Sequence, residues 1–418
     1  MKTVYAFYAA NRYWPDQEKL NKAYDDLRSR FKSEDVYLLT DGIELDVKGN
    51  CLVVVPMSGA VQAKILNDVS RFDSAVLYGA YIDGNGANET CDQMLRANAA
   101  PTLMDTWAVL HRTNNKVMLA RNVKELEDKI NVLEAYDFMK GANVLKIGET
   151  EPWVVSNAKD TKIYEERFGI NIIKVKQDEL IENYNACSKE QARKYYDYFV
   201  NQNIVCKEPS DEDLWNASKM AYCLVGLMNK YNAKACAIAC FNLLKTGTTS
   251  CLGVSYINTE TDMSVSCECD MDSAITMLFM RKLTKSNLWM ANPALRSDGL
   301  INFSHCTGPI CINDSRNYVL RNHHESQIGV SLEIDYPIDN VLTSVRISNE
   351  ASDITVLKGK TVKGEKLNCC RTQVYVKYED LDSYLNTVLG CHQVFAFDDI
   401  EQKVKDLAKL FGLRIISD

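Results

Sequence analysis

Long apolar runs are missing from this chain of 418 residues; none reaches the roughly 18 residues that a membrane span requires. The first residues, Met1-Lys2-Thr3-Val4-Tyr5-Ala6-Phe7-Tyr8, read as a strand and lack the apolar stretch and small-residue cleavage site of a secretory signal. The expectation is a cytoplasmic protein with no membrane partner. A basic stripe is missing as well. Lysine and arginine are dispersed and the net charge is −8, which leaves no electrostatic footprint for nucleic acid. Zinc-ribbon spacing is also lacking among the fifteen cysteines: Cys267 and Cys269 are one residue apart, and Cys369 and Cys370 are adjacent. Most cysteines, Cys223, Cys236 and Cys240 among them, lie in apolar segments. With an odd count and no secretion signal, they read as reduced, buried thiols. Histidine is scarce, with five in the chain.

What is present is ordinary globular material, 46% hydrophobic and 25% charged, in a chain long enough for two or three domains. Residues 1–140 alternate strand-like runs at 4–7, 36–39, 52–55, 75–78 and 116–120 with helical spacings such as Leu20, Tyr24, Leu27 and Phe31. That alternation predicts βαβ units and a parallel sheet. Ser58-Gly59 and Asp83-Gly84-Asn85-Gly86 read as tight connections after strand ends. A second α/β domain is expected over 141–262, opening with Val144-Leu145-Lys146-Ile147-Gly148 and continuing through runs at 170–175 and 234–241. Residues 263–418 turn β-rich, with runs at 330–334, 342–347, 354–357 and 373–378, and turns at Gly359 and Gly364. This pattern predicts an antiparallel, barrel-like C-terminal domain. A last helix presents Ile400, Val404, Leu407 and Phe411 on one face and stops at Gly412.

The stretch Met263-Ser264-Val265-Ser266-Cys267-Glu268-Cys269-Asp270 is the most informative one. At period two, Val265, Cys267 and Cys269 face one way while Ser266, Glu268 and Asp270 face the other. Two carboxylates at the end of a strand, entering a helix with Ile275, Leu278, Phe279 and Leu283 on its buried side, are placed for a metal or for proton transfer. Alternatively, Asp270 or Asp272 caps the helix and Glu268 is solvated. His305 lies in a turn, His323 and His324 precede the β-rich region, and His392 is read on a strand near the C-terminus, whereas His111 sits alone on a helix. Carboxylates with imidazoles form a donor set that suits manganese or a similar divalent ion.

At these residues the sequence resembles the L-fucose isomerase and L-arabinose isomerase superfamily, in particular its shorter members. Ser266-Cys267-Glu268-Cys269-Asp270 with the following helix resembles the metal-site strand and helix of that family. Ser304-His305-Cys306-Thr307-Gly308-Pro309 resembles its histidine–cysteine–glycine turn, and Gly390-Cys391-His392-Gln393-Val394-Phe395-Ala396-Phe397-Asp398 its glycine–X–histidine strand. The resemblance implies two Rossmann-like domains before a β-rich domain, a homo-oligomer (trimer or hexamer), and an aldose–ketose isomerase acting on a sugar through an enediolate. It implies Asp270 and Glu268 as catalytic residues and as metal ligands with His392. His305 and Arg371 are expected at the substrate, and the ion is Mn2+, or Co2+ or Mg2+. Arg296, Arg316 and Arg321, also near these motifs, are open to the same anion-holding role as Arg371 or to surface salt bridges. The longer family members carry a further glutamate where Lys245-Thr246-Gly247-Thr248-Thr249-Ser250-Cys251 here has no carboxylate. The alternatives are a sugar-binding or regulatory protein without turnover, and a metal hydrolase of a modified sugar.

Overall fold

Apolar runs become central strands wherever both faces of a sheet are covered, and the first part of the chain follows that rule. β1 (Thr3–Tyr8), β2 (Val36–Leu39), β3 (Cys51–Pro56), β4 (Ser74–Tyr78) and β5 (Val117–Ala120) form a parallel sheet in the order β2-β1-β3-β4-β5. In register, Ala6 of β1 sits beside Tyr37 of β2 and Val54 of β3. Helices α1 (Gln17–Arg28), α2 (Gln62–Val69) and α3 (Cys91–Thr113) connect these strands, and α4 (Val123–Met139) follows β5. Leu20, Ala23 and Leu27 of α1 are buried at the spacing the sequence predicts. The computed structural model describes residues 1–13, 16–79, 91–158, 160–200, 204–312 and 317–417, with the side chains of residues 13 and 91–96 left aside. The glycine-rich turn at 83–86 and Arg316 lie outside the described residues.

Contacts divide the chain into the units Met1–Asp137 and Phe138–Asp418. The second unit begins with β6 (Asn143–Ile147), α5 (Lys162–Phe168), β7 (Asn171–Val175), α6 (Gln177–Ala186), α7 (Lys189–Phe199), β8 (Val205–Cys206) and α8 (Asp211–Lys230). β9 (Ala233–Ile238), α9 (Cys251–Glu260), β10 (Ser264–Ser266) and α10 (Met271–Met280) follow. A second parallel sheet runs β10-β9-β6-β7. β10, read from the sequence as the start of the C-terminal domain, is thus the edge strand of this sheet. The run expected to stay extended to residue 241 ends at Ile238 and passes into a 3-10 turn, Phe241–Thr246.

The remaining chain contributes β11 (Leu288–Leu295), β12 (Ile301–His305), β13 (Tyr318–Arg321), β14 (Ser331–Ile334), β15 (Val341–Ser348), β16 (Asp353–Val362) and β17 (Thr372–Tyr378). It ends with α11 (Leu381–Thr387), β18 (Gln393–Ala396), α12 (Glu401–Leu410) and β19 (Arg414–Ile416). Six strands close an antiparallel barrel in the order β15-β18-β11-β12-β17-β16, with β16 pairing back onto β15 and β19 added alongside β16. Trp289, Phe303, Val376 and Phe395 pack inside it, each contributing roughly 1.5–3 kcal/mol by burial. Gly359 lies within β16 and does not end a strand there. A Cβ on it would come within 2.7 Å of Val376 Cγ1, so the glycine lets the long strand pass from its β15 pairing to its β17 pairing. A short sheet, β14-β13-β8, completes the unit.

Candidate metal centre

Ligands bind parallel sheets beyond the carboxyl ends of the strands, where the strand order reverses. In the second sheet the order reverses between β6 and β9, and β10 delivers Glu268 to the same end. The extended strand read through Asp270 stops at Ser266, because Glu268 and Cys269 adopt left-handed backbone, with φ of 58° and 47°. Each such residue costs of order 1–3 kcal/mol and persists only where its surroundings hold it. The loop after β6 does so: Glu151 N donates to Glu268 O at 3.1 Å, while Thr150 Oγ1 and Asn157 Nδ2 donate to Cys269 O. Cys269 N also donates to Ile238 O at 2.8 Å. The turn replaces the period-two alternation and brings Glu268 to one side and Asp270 to the other side of one histidine.

That histidine is His392, fully buried just before β18. Its Nδ1 donates to Asp270 Oδ2 at 2.7 Å. Its Nε2 lies 3.3 Å from Glu268 Oε1 and has no hydrogen-bond partner. His305, the last residue of β12, brings its Nε2 to 3.8 Å from the same Glu268 oxygen. Glu268, His305 and His392 each offer one ligand atom within 4.8 Å of the others, all three buried, and this group could hold a metal ion. The donor chemistry fits: a carboxylate behind one imidazole nitrogen, with the other nitrogen left unpartnered, is the arrangement that orients histidine ligands. His305 is held less firmly, its Nδ1 lying 2.9 Å from Thr307 Oγ1 and 3.3 Å from Thr307 N. With the hydroxyl as acceptor, Nε2 is a ligand; with the N–H as donor, Nε2 keeps its proton and donates into the cleft.

Asp270, expected among the ligands, stands behind His392. Its Oδ2 also accepts from Arg346 Nη1 at 2.7 Å and Ser273 Oγ at 2.9 Å, and its Oδ1 accepts from Ser273 N at 2.9 Å. The capping alternative holds in part: Asp270 is the N-cap of α10, but Glu268 is buried and not solvated. Asp272 serves Tyr164, Ser348 and Arg346. Arg371 does not join the group, since its guanidinium donates to the backbone and side chain of Asn322 and braces that loop. Arg296 pairs with Asp298, and Arg321 with Glu208 and Glu333. His111 is exposed and stacks on Trp107.

Electrostatics follow from burial and from these pairs. Burial works to raise the Glu268 pKa, but the His305 and His392 imidazoles beside it outweigh this and hold the carboxyl below its usual range. For Asp270 burial is again overcome, here by the Arg346 guanidinium and His392. Burial alone would lower His392, yet Asp270, Cys391 and Glu268 hold it well above the ordinary imidazole value. Asp272 is pushed up to about 6, by burial first.

Glu268 and His305 line a cleft whose other walls include Phe241, Leu244, Thr249, Ser250, Asn292, His323 and Glu325. Thr249 and Ser250 come from the stretch that carries no carboxylate, and they sit where α9 begins. Five thiols also line the cleft, Cys240, Cys251, Cys267, Cys306 and Cys370, yet they form no converging ligand set among the described residues. Trp153, half-exposed, donates its Nε1 to Glu268 Oε2 at 2.6 Å and stands edge-on to Phe241. Sequence reasoning passed over Trp153 and Arg346. The one signal for Arg346 was a charged residue in the middle of the apolar run at 342–347. Among the described residues no helix is long and apolar enough to cross a membrane. Compared with known proteins, the chain matches no family model and no curated sequence.

Proposed function

We propose that this chain is a metal-dependent aldose–ketose isomerase acting on a neutral sugar through an enediolate. The observation that carries the reading is the buried convergence of Glu268, His305 and His392, with Nε2 of His392 unpartnered and its Nδ1 on Asp270. A divalent ion, Mn2+ or else Co2+ or Mg2+, supplies Lewis acidity that lowers the cost of charge on the sugar oxygens. Glu268, His305 and His392 would hold it. Glu268, the carboxylate facing the cleft, carries the proton between adjacent carbons on one face of the sugar. Trp153 fixes its other oxygen. Asp270 acts through His392 and not on the sugar.

Among the described residues no lysine or arginine lines the cleft, whereas Glu268 and Glu325 do. Such a wall suits hydroxyl groups and repels a phosphate, which weighs against hydrolysis of a phosphorylated sugar. The same reading carries a trimer or hexamer, to be read by light scattering. The direct test is a panel of neutral aldoses and ketoses with Mn2+-loaded protein in deuterated water, followed by proton NMR. Interconversion with deuterium at the receiving carbon is expected, and its loss after chelation. Undiminished turnover by protein verified metal-free refutes the metal's part, and stoichiometric Mn2+ without turnover of any sugar favours a binding protein.

A further inference from the structure

Behind the centre lies a second, fully buried layer that the reaction itself does not use. Arg346, on β15, has no exposed surface. Its Nη1 donates to Asp270 Oδ2 at 2.7 Å and to Ser273 Oγ at 2.6 Å, and its Nη2 to Ser156 Oγ at 3.2 Å and Asp272 Oδ2 at 3.4 Å. Asp272 is held from the far side by Ser348 Oγ and Tyr164 OH, each at 2.5 Å. A buried ion pair of this kind is weak evidence for stability, because desolvation offsets much of its attraction. Its geometry is more informative. The oxygen that Arg346 grips is the one that receives His392 Nδ1–H. With Arg346 Nη1 and Ser273 Oγ both donating to that oxygen, the direction left for the His392 N–H is narrowed.

The second link runs through the backbone. Gly390 lies two residues before His392, and a Cβ there would meet Ser156 Oγ at 2.7 Å and Arg346 Nε and Nη2 at 3.1 Å. Arg346 therefore packs directly against the segment that carries His392, as well as against the carboxylate that orients its ring. Both ends of the histidine's placement meet at one side chain.

We infer that Arg346 is the positioning residue of the centre: by gripping Asp270 and packing on Gly390 it keeps His392 turned so that Nε2 faces Glu268. This rests on the metal reading for its consequence, but not for its geometry. Arg346→Lys keeps the charge and loses the fork, and Gly390→Ala keeps every charged group while crowding Ser156 and, through it, the guanidinium. Two readouts apply to each: Mn2+ affinity by the electron paramagnetic resonance of free Mn2+, and solvent exchange of the His392 Nδ1–H proton by 15N-resolved NMR in metal-free protein. The expected result is roughly 10-fold weaker Mn2+ binding in each folded variant, the lower end for an outer-shell partner, with faster Nδ1–H exchange. A folded Arg346→Lys with Mn2+ affinity within about twofold of the parent and unchanged exchange overturns the inference. If that variant does not fold, Gly390→Ala decides by the same criteria. A parent protein that binds no Mn2+ defeats the metal reading alone, since the Nδ1–H exchange still tests Arg346.

Discussion

Replacing Asp270 by asparagine changes few atoms yet asks the amide to satisfy donors on both of its sides. The carboxylate accepts from Ser273 N through Oδ1, and from His392 Nδ1, Arg346 Nη1 and Ser273 Oγ through Oδ2. With its oxygen kept on Ser273 N, the asparagine NH2 confronts Arg346 and the His392 N–H, donor against donor. Flipped, it meets those groups with oxygen but gives up the helix cap, worth about 1 kcal/mol. In both orientations the buried Arg346 is left with Asp272 alone as its carboxylate partner, at 3.4 Å. Removing one partner of a buried pair costs about 3–5 kcal/mol, and the surviving partner reduces this, so Asp270→Asn should lose about 2–3 kcal/mol in urea unfolding. Its Mn2+ affinity should fall about 10–100-fold, or about 1.4–2.7 kcal/mol, and turnover at subsaturating Mn2+ should fall in step while circular dichroism stays native. A variant within about 0.5 kcal/mol of the parent that binds Mn2+ equally well would refute the assignment of Asp270 as the group orienting His392.

His392→Gln should cost more Mn2+ affinity than His305→Gln, because only His392 has a carboxylate fixing its ring; equal losses in equilibrium dialysis would contradict this ordering. In metal-free protein the raised His392 pKa contributes stability fully present below about pH 6.5, the unperturbed value, and lost as pH rises through the folded value. Mn2+ binding displaces the competing proton, so affinity should climb over that same rise; melting temperature and affinity measured in parallel should move in opposite directions. Trp153→Phe keeps the ring beside Phe241 and removes the donor to Glu268 Oε2. It should leave stability within about 0.5 kcal/mol, as is usual away from the core, and weaken Mn2+ binding. Unchanged binding would limit Trp153 to packing on Phe241.

Much of the fold is visible in local pattern. Val53, Val54 and Val55 have to be interior to a parallel sheet, and α12 shows its buried face through Ile400, Val404, Leu407 and Phe411. β11 and β12 escape such reading, since Pro293 interrupts the first and Asn302 and Ser304 dilute the second. They are strands because the closed barrel supplies partners on both edges. Gly359 reads as a turn because its need for space is created by Val376, distant in sequence. At the site, Glu268, His305 and His392 are visible as scarce chemistry beside glycines and strand ends. The roles within the group are not, because a left-handed turn at Glu268 and Cys269 has no signature in a sequence without glycine there. Arg346 meets Asp270 across 76 residues, a pairing that no local pattern encodes.

Anomalous scattering at the manganese edge, from crystals grown with Mn2+, shows whether Glu268, His305 and His392 together hold one divalent ion. A single peak is expected, bounded by Glu268 Oε1, His392 Nε2 and His305 Nε2 at coordination distance from each, with Asp270 still on His392 Nδ1. Fully occupied manganese elsewhere in the chain, with no peak among these three side chains, would contradict it.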